Sequence, residues 1–329
     1  MSIIVTGSIA WDVLMRFPGY FQNYFLPDHL DNISVSFLVD EKERHRGGCA
    51  PNIAYSLALL GSRPKLMGTA GHDFTDYCEW LESVGVDTTL TQVYDNEFTA
   101  TFTAITDRSH SQIASFHTGA MARARELSFY DLPRSSIDWV IIAPNDPVAM
   151  HKYARECREL GLKFVYDPSQ QLARIDRNEF MDSVEGAAVL TVNDYELEMT
   201  KKLTGLDQEG LLKHVGALVV TRGPDGVSAY THSGDYHVPA AEAVALVEPT
   251  GVGDAFRSGL LAGLAHGWGW PTALRMGNVA AVYVIEKVGT LNHYYTLADF
   301  IARYRANYGD DPALEDLGAG TTAPVLSAV

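Results

Sequence analysis

Pro249-Thr250-Gly251-Val252-Gly253-Asp254-Ala255-Phe256 places two glycines and an acid at one junction of the chain. The apolar stretch Ala243 to Val247 precedes it. Behind it, the spacing of Phe256, Leu260, Leu261 and Leu264 predicts an amphipathic helix, so the acid falls in a helix's first turn. Gly251 and Gly253 let backbone N–H groups approach a ligand closely. The unpaired N–H groups and the dipole of the helix start then form an anion hole. Asp254 can accept a proton from a hydroxyl brought to that hole. A base on the nucleophile and donors on a developing phosphoryl charge are what phosphoryl transfer needs. On spacing alone, a dipole-matched Asp after a Gly-rich turn reads the same way.

Working outward, short apolar runs alternate with helical patterns. Ile3-Ile4-Val5, Lys65 to Thr69, Asp138 to Ala143, Lys163 to Tyr166, Ala188 to Val192 and Leu218 to Thr221 read as buried strands. Asn52 to Leu60, Phe74 to Ser83, Pro147 to Leu160 and Ala273 to Ile285 read as helices, the first three ending at or near a glycine. Strands alternating with helices predict an α/β fold with a mostly parallel sheet covered on both faces. Ile33 to Val39 and Phe98 to Thr106 alternate like half-exposed strands, and Gln112 to His117 reads as the return of a hairpin. These segments form either a small antiparallel lid over a cleft or extra edge strands of one sheet. The domain reading is a core over 1–12, 47–96 and 119–310, a β lid over 13–46 and 97–118, and a mobile tail over 311–329, where small, polar and Pro/Gly residues lack a period.

With 329 residues, the chain fits two domains or one large one. Its net charge of -16 makes nucleic acid a poor partner, while a small anion needs only a local pocket. Three widely spaced cysteines, Cys49, Cys78 and Cys157, make no disulfide framework and no metal-binding pair, and a reducing cytoplasm is expected. The run at residues 1–17 is broken by Asp12 and Arg16 and makes a poor signal peptide. No stretch approaches the ~18 uninterrupted apolar residues of a membrane span.

Thr250 to Asp254 resembles the second signature of the ribokinase-like (pfkB) family of carbohydrate and nucleoside kinases, and four further segments resemble family motifs in the family's order. The resemblance covers roughly residues 1 to 305. It implies a ribokinase-like three-layer sandwich with a small β-sheet lid, and ATP with Mg2+ as the cofactors. It makes Asp254 the catalytic base, and Gly251, Val252 and Gly253 the anion hole. Gly47-Gly48 and Asn52 match the first signature, which the family turns to sugar hydroxyls. On the residues alone, they are equally a Gly-Gly turn and an Asn near a helix cap. Asp12 stands where the family grips two ribose hydroxyls; an acid just past a buried strand is equally a loop residue or a helix cap. Asn193 and Glu196 match Asn-x-x-Glu, which places magnesium and phosphate through water. Thr221, Gly223 and Gly226 match a turn that contacts ATP, and Asn278 falls where adenine is contacted. A helix start, a hairpin turn and a buried satisfied Asn are the plain alternatives for these three. The family usually has Asp where this chain has Glu248, which leaves a potassium (K+) requirement open.

Several segments, Asp167-Pro168-Ser169-Gln170-Gln171-Leu172-Ala173-Arg174 above all, resemble adenosine kinases of the mycobacterial type. That likeness implies Ser8 and Asp12 on a ribose, Ser36, Phe102 and Phe116 around a nucleobase, and Gln170, Gln171 and Arg174 closing the site; taken singly, Phe102 and Phe116 are equally core residues packed under the lid. The implied reaction is ATP-dependent phosphorylation of a nucleoside 5'-hydroxyl, with adenosine foremost. The alternatives are another nucleoside, a free sugar such as ribose or fructose, or a non-catalytic nucleoside-binding protein on the same fold. Lid strands can pair across a two-fold axis, so a homodimer is an expectation.

Overall fold

The computed structural model describes residues 2–25 and 34–319. The chain opens with β1 (Ile3–Thr6), β2 (Ala10–Arg16), β3 (Glu41–Gly47) and α1 (Cys49–Leu59). Then come β4 (Lys65–Gly71), α2 (Thr75–Ser83), β5 (Thr91–Tyr94), β6 (Ala100–Thr106) and β7 (Gln112–His117). The middle holds β8 (Trp139–Ile142), α3 (Pro147–Leu160), β9 (Lys163–Tyr166), α4 (Arg177–Val184), β10 (Val189–Asn193), α5 (Asp194–Thr204) and α6 (Gln208–Leu212). It ends with β11 (Ala217–Thr221), β12 (Val227–Thr231), β13 (Gly234–Val238), α7 (Val252–Ala265), α8 (Trp270–Ile285), α9 (Leu297–Tyr308) and α10 (Ala313–Ala319).

One nine-stranded sheet runs β13-β12-β11-β10-β9-β8-β1-β4-β5, parallel from β5 to β11. The inner strands are apolar on both faces, as a sheet covered twice requires, while the edge strands β5 and β13 are largely exposed. Val5, Ile141, Val189 and Val219 pack into a core with α1, α7, α8 and α9, while Ile4, Val140, Leu190 and Leu218 pack into a second core with α3, α4 and α5. Period-2 alternation along each strand thus splits its side chains between two helical layers.

A second, four-stranded sheet has the order β3-β2-β6-β7. β6 and β7 form the hairpin, in register from Thr101↔His117 to Thr106↔Gln112. The expected strand at Ile33 to Val39 does not form: Ser34–Val39 has no strand, and Ile33 lies outside the described residues. The strand lies at Glu41–Gly47, paired antiparallel with β2. Its sequence, EKERHRG, hides it, because an exposed edge strand carries charges rather than an apolar alternation. The sheet begins at Ala10, ahead of the boundary drawn after residue 12.

One further expectation is corrected, and the apolar stretch before α7 takes no regular structure. No strand forms at Ala243–Val247: Val244 and Leu246 are exposed, and the Val247 and Glu248 N–H groups donate to Ile285 O at 2.8 and 3.2 Å. That segment docks on the end of α8 instead of adding to the sheet. The expected mobile tail contains α10, whose Leu314 and Leu317 are buried beside α9. Two apolar residues three apart suffice to seat a short helix on a core that is already formed. The rest of that tail, 320–329, lies outside the described residues. Among the described residues, no helix is long and apolar enough to cross a membrane.

Leu314→Ala should cost about 3 kcal/mol by the cavity it leaves, whereas Glu315→Ala, at an exposed position, should leave stability unchanged. Denaturant melts of both variants check this. Equal midpoints would show that α10 does not belong to the cooperative core.

Candidate active site

The carboxyl ends of the parallel strands lead into the candidate residues. β1 leads to Ser8 and β9 to Asp167, while β10 and β11 end at Asn193 and Thr221. Open α/β sheets bind ligands at this edge. The start of α7 meets it there. Gly251 caps α7 with φ 79°, a left-handed conformation that disfavours any side chain. Asp254 sits in the first turn, 8% exposed, and Asn52 Nδ2 of α1 donates to its Oδ2 at 2.8 Å. Asn52 Oδ1 is buried without a partner. The Val252 N–H donates to Pro249 O at 3.3 Å, so this amide is already engaged. Gly253 has no side chain between its amide and a ligand.

Asp254 belongs to a buried charge cluster that the sequence did not mark. Arg257, one turn along α7, places Nη2 2.6 Å from Asp167 Oδ2 and Nη1 3.6 Å from Asp254 Oδ1. Asp167 is fully buried, and its Oδ1 has no partner. Burial pushes the Asp254 carboxyl up from its ordinary range, against Arg257 and the Asn52 hydrogen bond, which pull it down. Burial likewise pushes Asp167 up to about 7, with Arg257 opposing and Glu196 adding to the rise. The three-residue spacing of Asp254 and Arg257 on one helix face was the available signal for Arg257.

Across the small sheet, His45, Asp12, Phe102 and Phe116 stand in one register row. Residues opposed in register share a face, so the aromatic rings and the Asp12 carboxylate lie on the same side. Phe102 is half-buried and Phe116 exposed. Gly47 lies against Asp12: a Cβ built there would stand 2.3 Å from Asp12 Oδ2. The row looks toward the loop before α7. His45 Nδ1 is 4.0 Å from a Cβ position at Gly289, and Gly289 N–H donates to Glu248 Oε2 at 2.9 Å. Burial raises Asp12 to about 6, with His45 pulling it down and Glu248 pushing it up.

The other candidates spread around this centre. Ser8 Oγ accepts from Cys49 N at 3.2 Å, beside Gly48 at the cap of α1. Gln170, Gln171 and Arg174 follow Asp167 in a short turn; Gln171 is buried with Oε1 unpartnered, and the other two are exposed. Asn193 and Glu196 close a capping box on α5, Asn193 Oδ1 accepting from Glu196 N at 2.7 Å and Glu196 Oε2 from Asn193 N at 2.9 Å. Gly223 and Gly226 form the turn after Thr221. Two more candidates, Ser36 and Asn278, complete the set. Ser36 is exposed. Asn278 directs Nδ2 to Pro239 O at 2.8 Å and Tyr308 Oη at 3.1 Å, which engages both amide hydrogens within the protein.

Residues 25–296 match the model of the pfkB family carbohydrate kinases. The chain belongs to the pfkB family. Its reaction class is therefore phosphoryl transfer to a hydroxyl group. This pfkB protein is 27% identical over 258 residues to a nucleoside kinase of Methanocaldococcus jannaschii, covering 78% of this chain and 84% of that one. It is 29% identical over 295 residues to a nucleoside kinase of Methanothermobacter thermautotrophicus, covering 87% and 94%. Among solved structures, the Burkholderia thailandensis nucleoside kinase in complex with inosine superposes with a TM-score of 0.82 at 34% identity, over 93% of this chain and 98% of that one.

Asp12 supplies a test by pH. Its raised value means that the folded protein holds this proton longer than the unfolded chain. The stabilisation is complete below the ordinary value of 3.8 and is lost as pH rises through about 6. Asp12→Asn removes that loss, so its melting temperature relative to wild type should climb from pH about 4 to about 7. Parallel melting curves would show that Asp12 is not desolvated.

Proposed function

We propose that the protein transfers the γ-phosphoryl of ATP to the ribose 5'-hydroxyl of a nucleoside, with adenosine the foremost acceptor. The observation that carries the reading is the buried Asp254 carboxylate at the glycine-rich start of α7, bonded to Asn52, beside which stands the small sheet's row of Asp12, Phe102 and Phe116 as the proposed acceptor wall. Two relatives are named as nucleoside kinases, and the Burkholderia enzyme was also solved with ADP-inosine, at 34% identity and a TM-score of 0.82. A purine takes flat apolar faces and a few polar edges, which the two phenylalanines and the Gln170-Gln171 turn supply.

In this reading Asp12 grips the ribose and Asn52 steers the acceptor through its unpartnered Oδ1. Asp254 takes the hydroxyl proton as the hydroxyl oxygen bonds to the γ-phosphorus and the bond to the leaving ADP oxygen breaks. Its raised pKa brings the base nearer to neutrality. The amides of Gly251 and Gly253 receive the developing phosphoryl charge. The nucleotide lies across the turn at Gly223 and the end of β10. The small sheet shields the reacting atoms from water. Among the described residues, no group of three or more His, Cys, Asp or Glu side chains is arranged to hold a metal by itself. That fits magnesium, which needs one or two carboxylates plus substrate phosphates. Glu196 would hold it through water, with the oxygen that its capping box leaves over. Bound there, magnesium neutralises phosphate charge. β7, exposed along its whole length, is where we expect a second copy to pair.

ADP release measured across adenosine, inosine, cytidine, ribose and fructose tests the acceptor. Adenosine should give the highest kcat/KM, and turnover of ribose or fructose alone would contradict the reading. Asp254→Asn should lower kcat by about 10²–10⁴-fold with nucleoside affinity little changed. Wild-type turnover by that variant would remove Asp254 as the base.

A further inference from the structure

Arg257 is the only cation that the structure presses against Asp254 among the described residues. Its guanidinium folds back over the first turn of its own helix, where a Cβ at Gly253 would stand 2.6 Å from Nη1. One end is anchored: Nη2 is 2.6 Å from Asp167 Oδ2. Asp167 follows β9, and its N–H donates to Ile142 O at 2.9 Å, which ties the acid to the central sheet. The other end approaches Asp254 Oδ1 at 3.6 Å, while Asn52 holds Oδ2 at 2.8 Å. One oxygen of the carboxylate thus accepts a hydrogen bond from α1, and the other faces the guanidinium of its own helix.

We propose that Arg257, braced by Asp167, is a positioning residue that fixes the Asp254 carboxylate in direction and in charge. The proposal rests on the reading of Asp254 as the base. Arg257 differs from a plain structural ion pair in its second contact. A pair that served packing alone would not need Nη1 directed at the base. Asp167 serves as the brace because it is buried and cannot leave for solvent. The groups that act on the cluster are all at hand. Cys49, at the start of α1, carries no charge, since burial pushes its thiol well up. Glu196 of α5 acts on both Asp167 and Arg257. No second cation faces Asp254 from these elements, so loss of Arg257 leaves burial opposed by Asn52 alone.

The sign follows. Arg257 favours the ionised carboxylate, and its removal raises the pH at which Asp254 gains a proton. Arg257→Gln should therefore shift the acid limb of the kcat/KM profile to higher pH. It should also lower kcat by about 10²-fold, the scale of a 1 Å misplacement, with nucleoside KM nearly constant. Arg257→Lys should recover part of the limb shift. Asp167→Asn, which keeps the shape, should give a smaller loss of kcat in the same direction. Carbon NMR titration of the Asp254 carboxyl, assigned by its disappearance in Asp254→Asn, reads the same coupling without any acceptor. A midpoint that rises in Arg257→Gln supports the proposal, even if the enzyme phosphorylates something other than a nucleoside. An unchanged midpoint, or an unchanged limb with kcat within about twofold, overturns it. The failure of Asp254→Asn to lose activity would instead strike the assignment of the base.

Discussion

A carboxylate withdrawn from water must find partners or lose its charge. Asp254 is placed in that position by the fold, and three parts of the chain answer for it. Asn52, 202 residues earlier in sequence, donates to one oxygen. Arg257, three residues later, stands near the other. Asp167 holds Arg257 from the end of a central strand. The bond between α1 and α7 therefore does two things. It closes one helical layer across the sheet edge, and it gives a hydrogen bond to a carboxylate that burial alone would drive toward its protonated form. Burial pushes proton affinity up while Asn52 and Arg257 restrain it.

The acidic chain makes this arrangement local. With a net charge of -16, the protein as a whole repels phosphate. In the proposed reading an anion is received at the start of α7, where amides and a dipole act over a few ångströms. The small sheet then adds what the helix start lacks. Its row places an acid next to two aromatic rings in register, so a polar grip and a flat apolar wall arrive on one rigid surface.

Much of this was legible in the sequence. Buried parallel strands announce themselves as short apolar runs, and the Gly251 to Asp254 signature puts the proposed base and the proposed anion hole together without any long-range information. What depended on register or distance was not legible. β3 carries charge because it lies at an edge, so periodicity passed over it. The apolar letters at Ala243–Val247 do not make a strand because that segment hangs on the end of α8. α10 reads as a tail until its two leucines are seen against α9. Arg257 was hidden for a different reason. A lone arginine on an amphipathic helix reads as solvated, and only the approach of Asp167 across the sheet edge places it at the centre of the cluster. Asn278 runs the other way, since a residue marked for a ligand has its amide engaged by Pro239 and Tyr308.

The central claim is that Asp254 delivers a nucleoside hydroxyl to ATP. Phosphorus NMR of a reaction containing the protein, adenosine and magnesium ATP observes that step directly. The account predicts a nucleoside 5'-monophosphate resonance growing in step with ADP, and its absence when Asn replaces Asp254. Inorganic phosphate appearing with ADP while adenosine stays intact would contradict it.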